Sequence, residues 1–379
     1  MLASTGLLII LSRSIAREVG IVSPDCREIT WKTGGSGGET GMADRLAVGQ
    51  FHHTAVVVND IQAAMRGNSI YFGIPTWHLR RFEGRRLPGF EDSGFISAMS
   101  ADSAVAIELL QPLTSEAPHA PFRSWRGEGM SHAVSRCSDT ELMQLRDQLG
   151  ERHIAVAHEL QLDGHITSLQ LDTRTELSGV AIEVQVEAAT GFDHLPVDQT
   201  LHFEFEPLLP VDKLYHVGVV VNNREQAMQQ FRDLLGLPEF LPLELAVGES
   251  LSSVIFRGER VHHEARVAFS RGHGFCFEVM QPGAGQGAYQ EFQNYYGEGM
   301  QHYFPTICDQ QVLDQALPRL SEHGVDVRLL GVIDGVMNYY YLATEKLLGG
   351  YIIEVICPHQ QNWMEVMGMT EEQGYLIGL

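Results

Sequence analysis

Gly127-Glu128-Gly129-Met130-Ser131-His132 recurs 170 residues later as Gly297-Glu298-Gly299-Met300-Gln301-His302. Ahead of each copy stands a Glu with Gln-Pro close behind it, Glu108-Leu109-Leu110-Gln111-Pro112 and Glu278-Val279-Met280-Gln281-Pro282. The Glu-to-His interval is 24 residues in both copies. Self-similarity at a fixed period sets architecture before any local pattern does. The chain therefore reads as a tandem duplication that keeps a His and carboxylate set.

Outward from this motif, Phe51-His52-His53-Thr54-Ala55-Val56-Val57-Val58 is a β-branched run. Asp60 is placed to cap a helix from Ile61 to Phe72 that stops at Gly73-Ile74-Pro75. The counterpart is Tyr215 to Val221, a helix from Arg224 to Leu235 and Gly236-Leu237-Pro238, at an offset of 163. Strands are expected at Thr76–Phe82, Gly94–Met99 and Val105–Leu110, and in the second copy at Ser252–Phe256, Ala265–Ser270 and Phe275–Met280. By Glu108 and Glu278 the offset has grown to 170, so the second copy carries about seven more residues, placed in a hairpin loop.

The pattern restarts within each half. Met130–Cys137 reads as a strand, Asp139 as the cap of a helix Thr140–Leu149, and strands follow near His153–Leu160, Thr167–Leu171 and Val180–Gln185. The second half repeats this from His302: Asp309 as cap, a helix Gln310–Glu322, then Val325–Leu330, Tyr339–Leu342 and Tyr351–Ile356. Pro305 falls inside the first of these strands and Pro318 inside the helix, where each removes a backbone donor. The expected fold class is α+β, four βαβββ modules paired into two tandem domains. The boundaries are set at 1–50 for an N-terminal extension, 51–187 for the first domain, 188–212 for a Pro-containing linker, 213–358 for the second domain and 359–379 for a C-terminal tail.

A chain of 379 residues can bury a sizeable core in each of two or three domains. A net charge of −22 argues against nucleic acid or membrane as a partner, since both demand a basic face. Five cysteines (Cys26, Cys137, Cys276, Cys308, Cys357) are scattered without a C-x-x-C pair, which fits a reducing, cytoplasmic setting. Leu7-Leu8-Ile9-Ile10-Leu11 is too short to span a bilayer and lacks the basic flank of a secretory signal. Residues 27–41 are polar and Gly-rich, and Met42 would serve as a start, so residues 1–41 are expected to be a disordered extension or an over-called start.

Each half offers four residues at matched places: His53, Glu108, His132 and Glu183 in the first, and His216, Glu278, His302 and Glu354 in the second. Two imidazoles with two carboxylates make a hard to borderline divalent-metal site, for which Mn, Fe(II), Co, Ni or Zn are suitable by ligand type. Any one of these residues alone reads as a solvated strand-end group. Glu is depleted in strands, however, and here it interrupts apolar runs such as Ile352-Ile353-Glu354-Val355-Ile356, where an inward carboxylate needs a partner or a metal.

With these residues in view, the chain resembles the vicinal oxygen chelate superfamily, which includes glyoxalase I, extradiol dioxygenases, fosfomycin resistance enzymes and methylmalonyl-CoA epimerase. Glu108 to Pro112, Phe122 and Gly127 to Val134 are most similar to the epimerase, whose wording is close to E-L-L-x-P, then G-x-G-[ILM]-H-H-[IM]-A. Departures are Ser131 and Gln301 in place of the usual His, and the missing carboxylate in Gly94-Phe95-Ile96-Ser97-Ala98. Glu264 is the nearest second-half candidate for the second base that the epimerase family uses.

The resemblance implies a metal-dependent enzyme that stabilises an enolate or enediolate, an epimerase or isomerase, with Glu183 or Glu354 moving the proton. The implied substrate is a small molecule with two neighbouring oxygens, an acyl-CoA among the candidates, and a homodimer is compatible. Two alternatives stand beside it. One is a non-haem Fe(II) dioxygenase of the two-domain 4-hydroxyphenylpyruvate type, using His216, His302 and Glu354. The other is a metal-free sequestering protein of the bleomycin-resistance type. The basic run His78-Leu79-Arg80-Arg81-Phe82-Glu83-Gly84-Arg85-Arg86 reads either as an anion cradle or as a charged edge strand. The doublet His262-His263 reads as loop surface.

Overall fold

The computed structural model describes residues 45–83, 92–162, 164–187 and 194–379. The expected start, residues 1–41, lies outside them, as do Arg85 and Arg86. Two curled half-barrel sheets account for most of the rest. In the first, β1 (Gln50–Val57), β2 (Thr76–Glu83), β3 (Gly94–Ala101) and β4 (Ile107–Pro112) form one module. The next module is β5 (Gly129–Cys137), β6 (Val156–Leu162), β7 (His165–Leu171) and β8 (Ala181–Val186), and β9 (Gln199–His202) follows. The order across the sheet is β6-β7-β8-β5-β1-β4-β3-β2-β9, so the two modules meet where β1 pairs with β5. β9 pairs with β2 from Thr76 to Leu79, so the first two residues of the basic run, His78 and Leu79, are covered by a neighbouring strand. Arg80 is buried and donates from Nε to the Leu195 carbonyl at 3.3 Å, and Asp198 accepts from the Arg81 amide at 2.6 Å.

The second sheet repeats this with β10 (His216–Val220), β11 (Leu241–Ala246), β14 (His263–Gly272) and β15 (Phe275–Gly285), then β16 (Gly299–Ile307), β17 (Val327–Ile333), β18 (Met337–Leu342) and β19 (Ile352–Pro358). The strand expected at Ser252–Phe256 is a different element. The partner of β14 is β11, whereas β12 (Ser253–Phe256) and β13 (Glu259–Val261) form an inserted hairpin that adds to β17. Pro242 within Leu241-Pro242-Leu243-Glu244-Leu245 hid the true strand, and it is tolerated because β11 is an edge strand.

Helices α1 (Ile61–Phe72) and α4 (Arg224–Leu235) run as expected, begun by Asp60 and Asn223 side chains and ended by Gly73 and Gly236 at φ 69° and 67°. Helices α2 (Ala120–Arg126) and α5 (Ala288–Tyr296) precede the repeated motif, and α3 (Asp139–Arg152) and α6 (Gln310–Glu322) belong to the second and fourth modules. The cap of α3 is Ser138, one residue before the expected Asp139, in a reciprocal box with Glu141. Pro318 is accommodated inside α6. Pro305 coincides with a break in the β16–β19 register between Tyr303 and Thr306.

The repeated motif explains itself at this level. Gln111 Oε1 accepts from the Ile61 amide at 2.9 Å and Gln281 Oε1 from the Arg224 amide at 3.0 Å, which satisfies an otherwise orphaned first-turn donor of α1 and of α4. Glu128 and Glu298 each accept a turn amide, from Asn59 and Asn222, at 2.7 Å. The two halves also interlock reciprocally. A Cβ added at Gly350 would lie 2.3 Å from the Glu128 carbonyl, and one at Gly179 would lie 2.5 Å from that of Glu298. One continuous apolar core runs from Phe51 and Met65 of the first half to Phe277 and Tyr351 of the second. Leu46 and Val48 belong to it, and the Leu46 amide donates to the Leu234 carbonyl at 2.8 Å. Helix α7 (Glu345–Leu348) precedes β19, and helices α8 (Trp363–Val366) and α9 (Glu371–Leu376) fold the C-terminal stretch against the second sheet. No helix among the described residues is long and apolar enough to cross a membrane.

Candidate metal centre

Alternation along four adjacent strands, β15-β10-β16-β19, fixes which side chains share the concave face of the second sheet. Gly218 is the register partner of both Glu278 and His302. His216 lies two residues before it, and Glu354 two residues after Ile352, the partner of His302. All four site side chains are buried, and one donor atom from each lies within 4.8 Å of the others. The closest edges are His216 Nε2 to Glu354 Oε2 at 3.0 Å and to Glu278 Oε2 at 3.4 Å. His302 Nε2 lies 3.3 Å from both carboxylates. A cation held about 2.1 Å from each donor sets neighbouring donors roughly 3.0–3.4 Å apart, from octahedral to tetrahedral. His302 Nε2 and Glu278 Oε2 are buried without a properly directed hydrogen bond. The cluster fits a divalent metal.

The surroundings fix the imidazoles for that role. His302 Nδ1 faces Gln301 Oε1 at 3.2 Å, and Gln301 is itself anchored by donating to the Ala288 carbonyl at 2.8 Å. His216 Nδ1 faces the Ile377 carbonyl at 3.4 Å. Acceptors at both Nδ1 atoms keep the proton there and turn each Nε2 lone pair inward. Without a cation, burial disfavours charge on His216, yet the adjoining carboxylates of Glu278 and Glu354 outweigh that and raise its pKa to about 10. Burial likewise opposes ionisation of Glu354, but the two imidazoles hold its pKa at about 2. The same opposition leaves His302 raised.

Beside the cluster is a cavity of about 80 Å³, walled by Leu243, Val267, Phe269, Tyr289 and Tyr339 and covered by Trp363, Met367 and Leu379 of the C-terminal stretch. No tyrosine is among the site residues expected from the sequence, and the run Asn338-Tyr339-Tyr340-Tyr341 is the signal that points to them. Tyr289 and Tyr341 hydroxyls lie 2.7 Å apart, whereas the buried Tyr339 hydroxyl has no partner. Burial pushes the Tyr339 phenol far above its usual range, so it remains a proton-bearing donor. Gly331, its partner across β17 and β18, leaves room for the ring. Glu264 is not brought to the site. It lies on the face of β14 opposite to Val267 and Phe269, is 45% exposed, and pairs with His262 at 3.0 Å. His263 is buried rather than loop surface, with Nδ1 3.0 Å from the Gln286 carbonyl.

The first-half set occupies equivalent backbone positions but separates into two pairs, His53 with Glu108 at 3.2 Å and His132 with Glu183 at 3.1 Å. Among the described residues, only the second-half four converge as a metal-sized group. One difference lies at the register partner of the second His. A Cβ added to Gly218 would fall 2.0 Å from the His302 ring, and the first half has that Cβ, at Ala55 opposite His132. The His132 ring instead stacks against His119, centroids 5.4 Å apart. The carboxylates there are satisfied by protein: Ser97 Oγ donates to Glu108, and Gln185 Nε2 donates to Glu183 at 3.3 Å. Apolar side chains, among them Phe82 stacked on Phe95 at 4.8 Å, fill the concave face. Two further buried imidazoles, His119 and His158, gather beside His132. Burial pushes His119 well below its usual range and His158 down to about 4, so both are neutral.

No protein-family model and no curated protein matches the sequence. Among solved structures, the chain is similar to a triple mutant of 4-hydroxymandelate synthase from Streptomyces coelicolor, with a TM-score of 0.52, 14% identity, and coverage of 82% of this chain and 93% of that one. It is also similar to the Mn(II)-bound glyoxalase from Novosphingobium aromaticivorans, at a TM-score of 0.39 and 13% identity, covering 82% of each chain. A third likeness is to methylmalonyl-CoA epimerase from Mycobacterium tuberculosis, at 0.27 and 20%, covering 41% of this chain and 93% of that one. The fold is the tandem vicinal-oxygen-chelate fold.

Proposed function

We propose that this chain is a divalent-metal enzyme with one working centre, His216, Glu278, His302 and Glu354, that isomerises a small substrate bearing two neighbouring oxygens by moving a carbon-bound proton. The observation that carries the reading is the convergence of four buried donors on one point beside a cavity. Mn, Fe(II), Co, Ni and Zn remain the candidate ions. Such an ion, when bound, supplies Lewis-acid stabilisation to an enolate.

The chain's own residues divide the remaining work. Glu354, its pKa held at about 2 by both imidazoles, is suited to remain a ligand. Glu278 Oε2 is less firmly held and is the better candidate to accept the proton. The Tyr339 hydroxyl is suited to donate a hydrogen bond to a substrate oxygen, and the apolar wall excludes water. Among the described residues, no acid other than the two ligand carboxylates lines the cavity, which favours one shuttling base over the two opposed bases of an epimerase. The cavity's size, below the roughly 300–1,000 Å³ of common ligand pockets, favours a small substrate over an acyl-CoA.

A dioxygenase would use His216, His302 and Glu354 and leave a position open for oxygen. Glu278 Oε2, 3.4 and 3.3 Å from the two imidazoles, fills that position. The deciding experiment is metal analysis of the wild type, His302→Ala and His132→Ala, together with proton–deuterium exchange of candidate 2-oxo and 2-hydroxy compounds in D₂O under an oxygen electrode. About one metal per chain, lost in His302→Ala and kept in His132→Ala, with exchange but no oxygen uptake, is expected. Oxygen uptake coupled to turnover would overturn the isomerase reading.

A further inference from the structure

Cys308 and Cys357 are neighbours across parallel strands. The β16–β19 register pairs Ile307 with Ile356, and the Cys308 amide donates to the Ile356 carbonyl at 3.0 Å, so the next pair in the ladder is Cys308 with Cys357. As partners in one ladder, the two side chains leave the sheet on the same face. Cys308 is half-buried and Cys357 is fully buried. Along β19, Cys357 alternates with Glu354 and Ile356, which face the cavity, so the pair lies on the opposite side of the sheet. Adjacent strands stand about 4.8 Å apart, within the roughly 4.4–6.8 Å Cα window of a disulfide and near its short end.

The duplication supplies an internal contrast. In the first half the same ladder position pairs Cys137 with Val186, a buried thiol without a second one. Among the described residues, therefore, only the second half holds two thiols at this ladder position.

We propose that Cys308 and Cys357 form a redox dithiol, a reversible disulfide site that responds to hydroperoxides. The Cys308 thiolate attacks one peroxide oxygen: an S–O bond forms, the O–O bond breaks, and the departing oxygen takes up the proton that Cys308 released. The Cys357 sulfur then attacks the Cys308 sulfenic acid; the S–S bond forms, the S–O bond breaks, and hydroxide leaves with the Cys357 proton as water. Two electrons pass from the dithiol to the peroxide. The roles follow from access, Cys308 being half-buried and Cys357 fully buried, in keeping with a Cys308 thiol lowered and a Cys357 thiol raised by each other's presence.

The test is peptide mapping of the full-length chain, under non-reducing conditions, after brief exposure to hydrogen peroxide. A cross-linked Cys308–Cys357 peptide that disappears on treatment with dithiothreitol is expected, with Cys137 and Cys276 left as thiols. In Cys357→Val, which restores the first-half residue, oxidation stops at a Cys308 sulfenic acid captured by dimedone. In Cys308→Ser thiol consumption slows by about tenfold; this half-exposed position serves if the buried valine variant does not fold. Recovery of Cys308 in the wild type as a thiol, as a sulfinic acid, or bonded to any other cysteine overturns the proposal. The readout is covalent and independent of metal content, so its outcome stands apart from that of the metal centre.

Discussion

Replacing Gly218 with alanine tests the metal centre through a residue that does not belong to it. The added Cβ would lie 2.0 Å from His302 Cε1, 2.3 Å from Nδ1 and 2.6 Å from Nε2. Carbon contacts relax to about 3.5 Å, so the ring must withdraw by roughly 1–1.5 Å. Metal–ligand distances tolerate only about 0.2 Å, so such a withdrawal removes Nε2 from the set. The expected effect is a fall of about 100-fold or more in metal affinity, at or beyond the upper end of the range for outer-shell changes. The metal-free chain should lose about 1–3 kcal/mol, the usual cost of overpacking a tight interior. Affinity is read by competition with a chromophoric chelator and stability by denaturant unfolding. Metal affinity within about twofold of wild type, with the fold intact, would refute the reasoning. The reciprocal Ala55→Gly opens the same space beside His132.

Other expectations follow from the same geometry. Glu278→Gln should keep the metal while exchange falls by roughly 10²–10⁴, the range for loss of a general base; Glu354→Gln should lose metal first, and the opposite order in metal analysis and exchange assays would reverse the assigned roles. Gln301→Ala removes the acceptor at His302 Nδ1 and should weaken metal binding by about 10–100-fold, measured by the same chelator competition. For the metal-free protein, His216 is raised from 6.5 to about 10, so its stabilisation is complete below pH 6.5 and disappears as pH rises to 10. Glu354, lowered from 4.5 to about 2, stabilises above pH 4.5 and loses that as pH falls towards 2. Denaturant stability of the metal-free chain should thus peak between pH 4.5 and 6.5; a flat profile from 6.5 to 10 would show that His216 is not held protonated. Truncation before Thr370 removes the Ile377 carbonyl opposite His216 and one cover of the cavity, and should lower metal affinity about tenfold in chelator competition.

Much of this was legible in the sequence because duplication doubles every signal. The paired Gln-Pro and Gly-Glu-Gly motifs gave the modules, and the caps at Asp60 and the stop at Gly73 placed helices to the residue. Matched places in the two copies single out eight His and Glu residues, of which the four in the second half converge among the described residues. What was not legible depends on contacts between distant segments. Nothing local distinguishes Leu241–Ala246 from the inserted hairpin as the partner of β14, since Pro242 weakens the true strand's signal and pairing is decided across the sheet. The register that turns Glu264 away from the cavity is equally nonlocal. The divergence of the two halves rests on Ala55 against Gly218, and on Ser97 where the second half has Val267, single substitutions whose meaning appears only opposite an imidazole or a carboxylate.

The reciprocal seating of Gly179 against Glu298 and of Gly350 against Glu128 has a wider consequence. A contact that maps onto itself when the two copies are exchanged is self-complementary, the defining property of a two-fold dimer interface. A single unduplicated copy would carry both sides of that joint on one surface and would pair with its twin. With both copies on one chain that partnership is covalent, and one copy can keep a donor set that the other does not hold together.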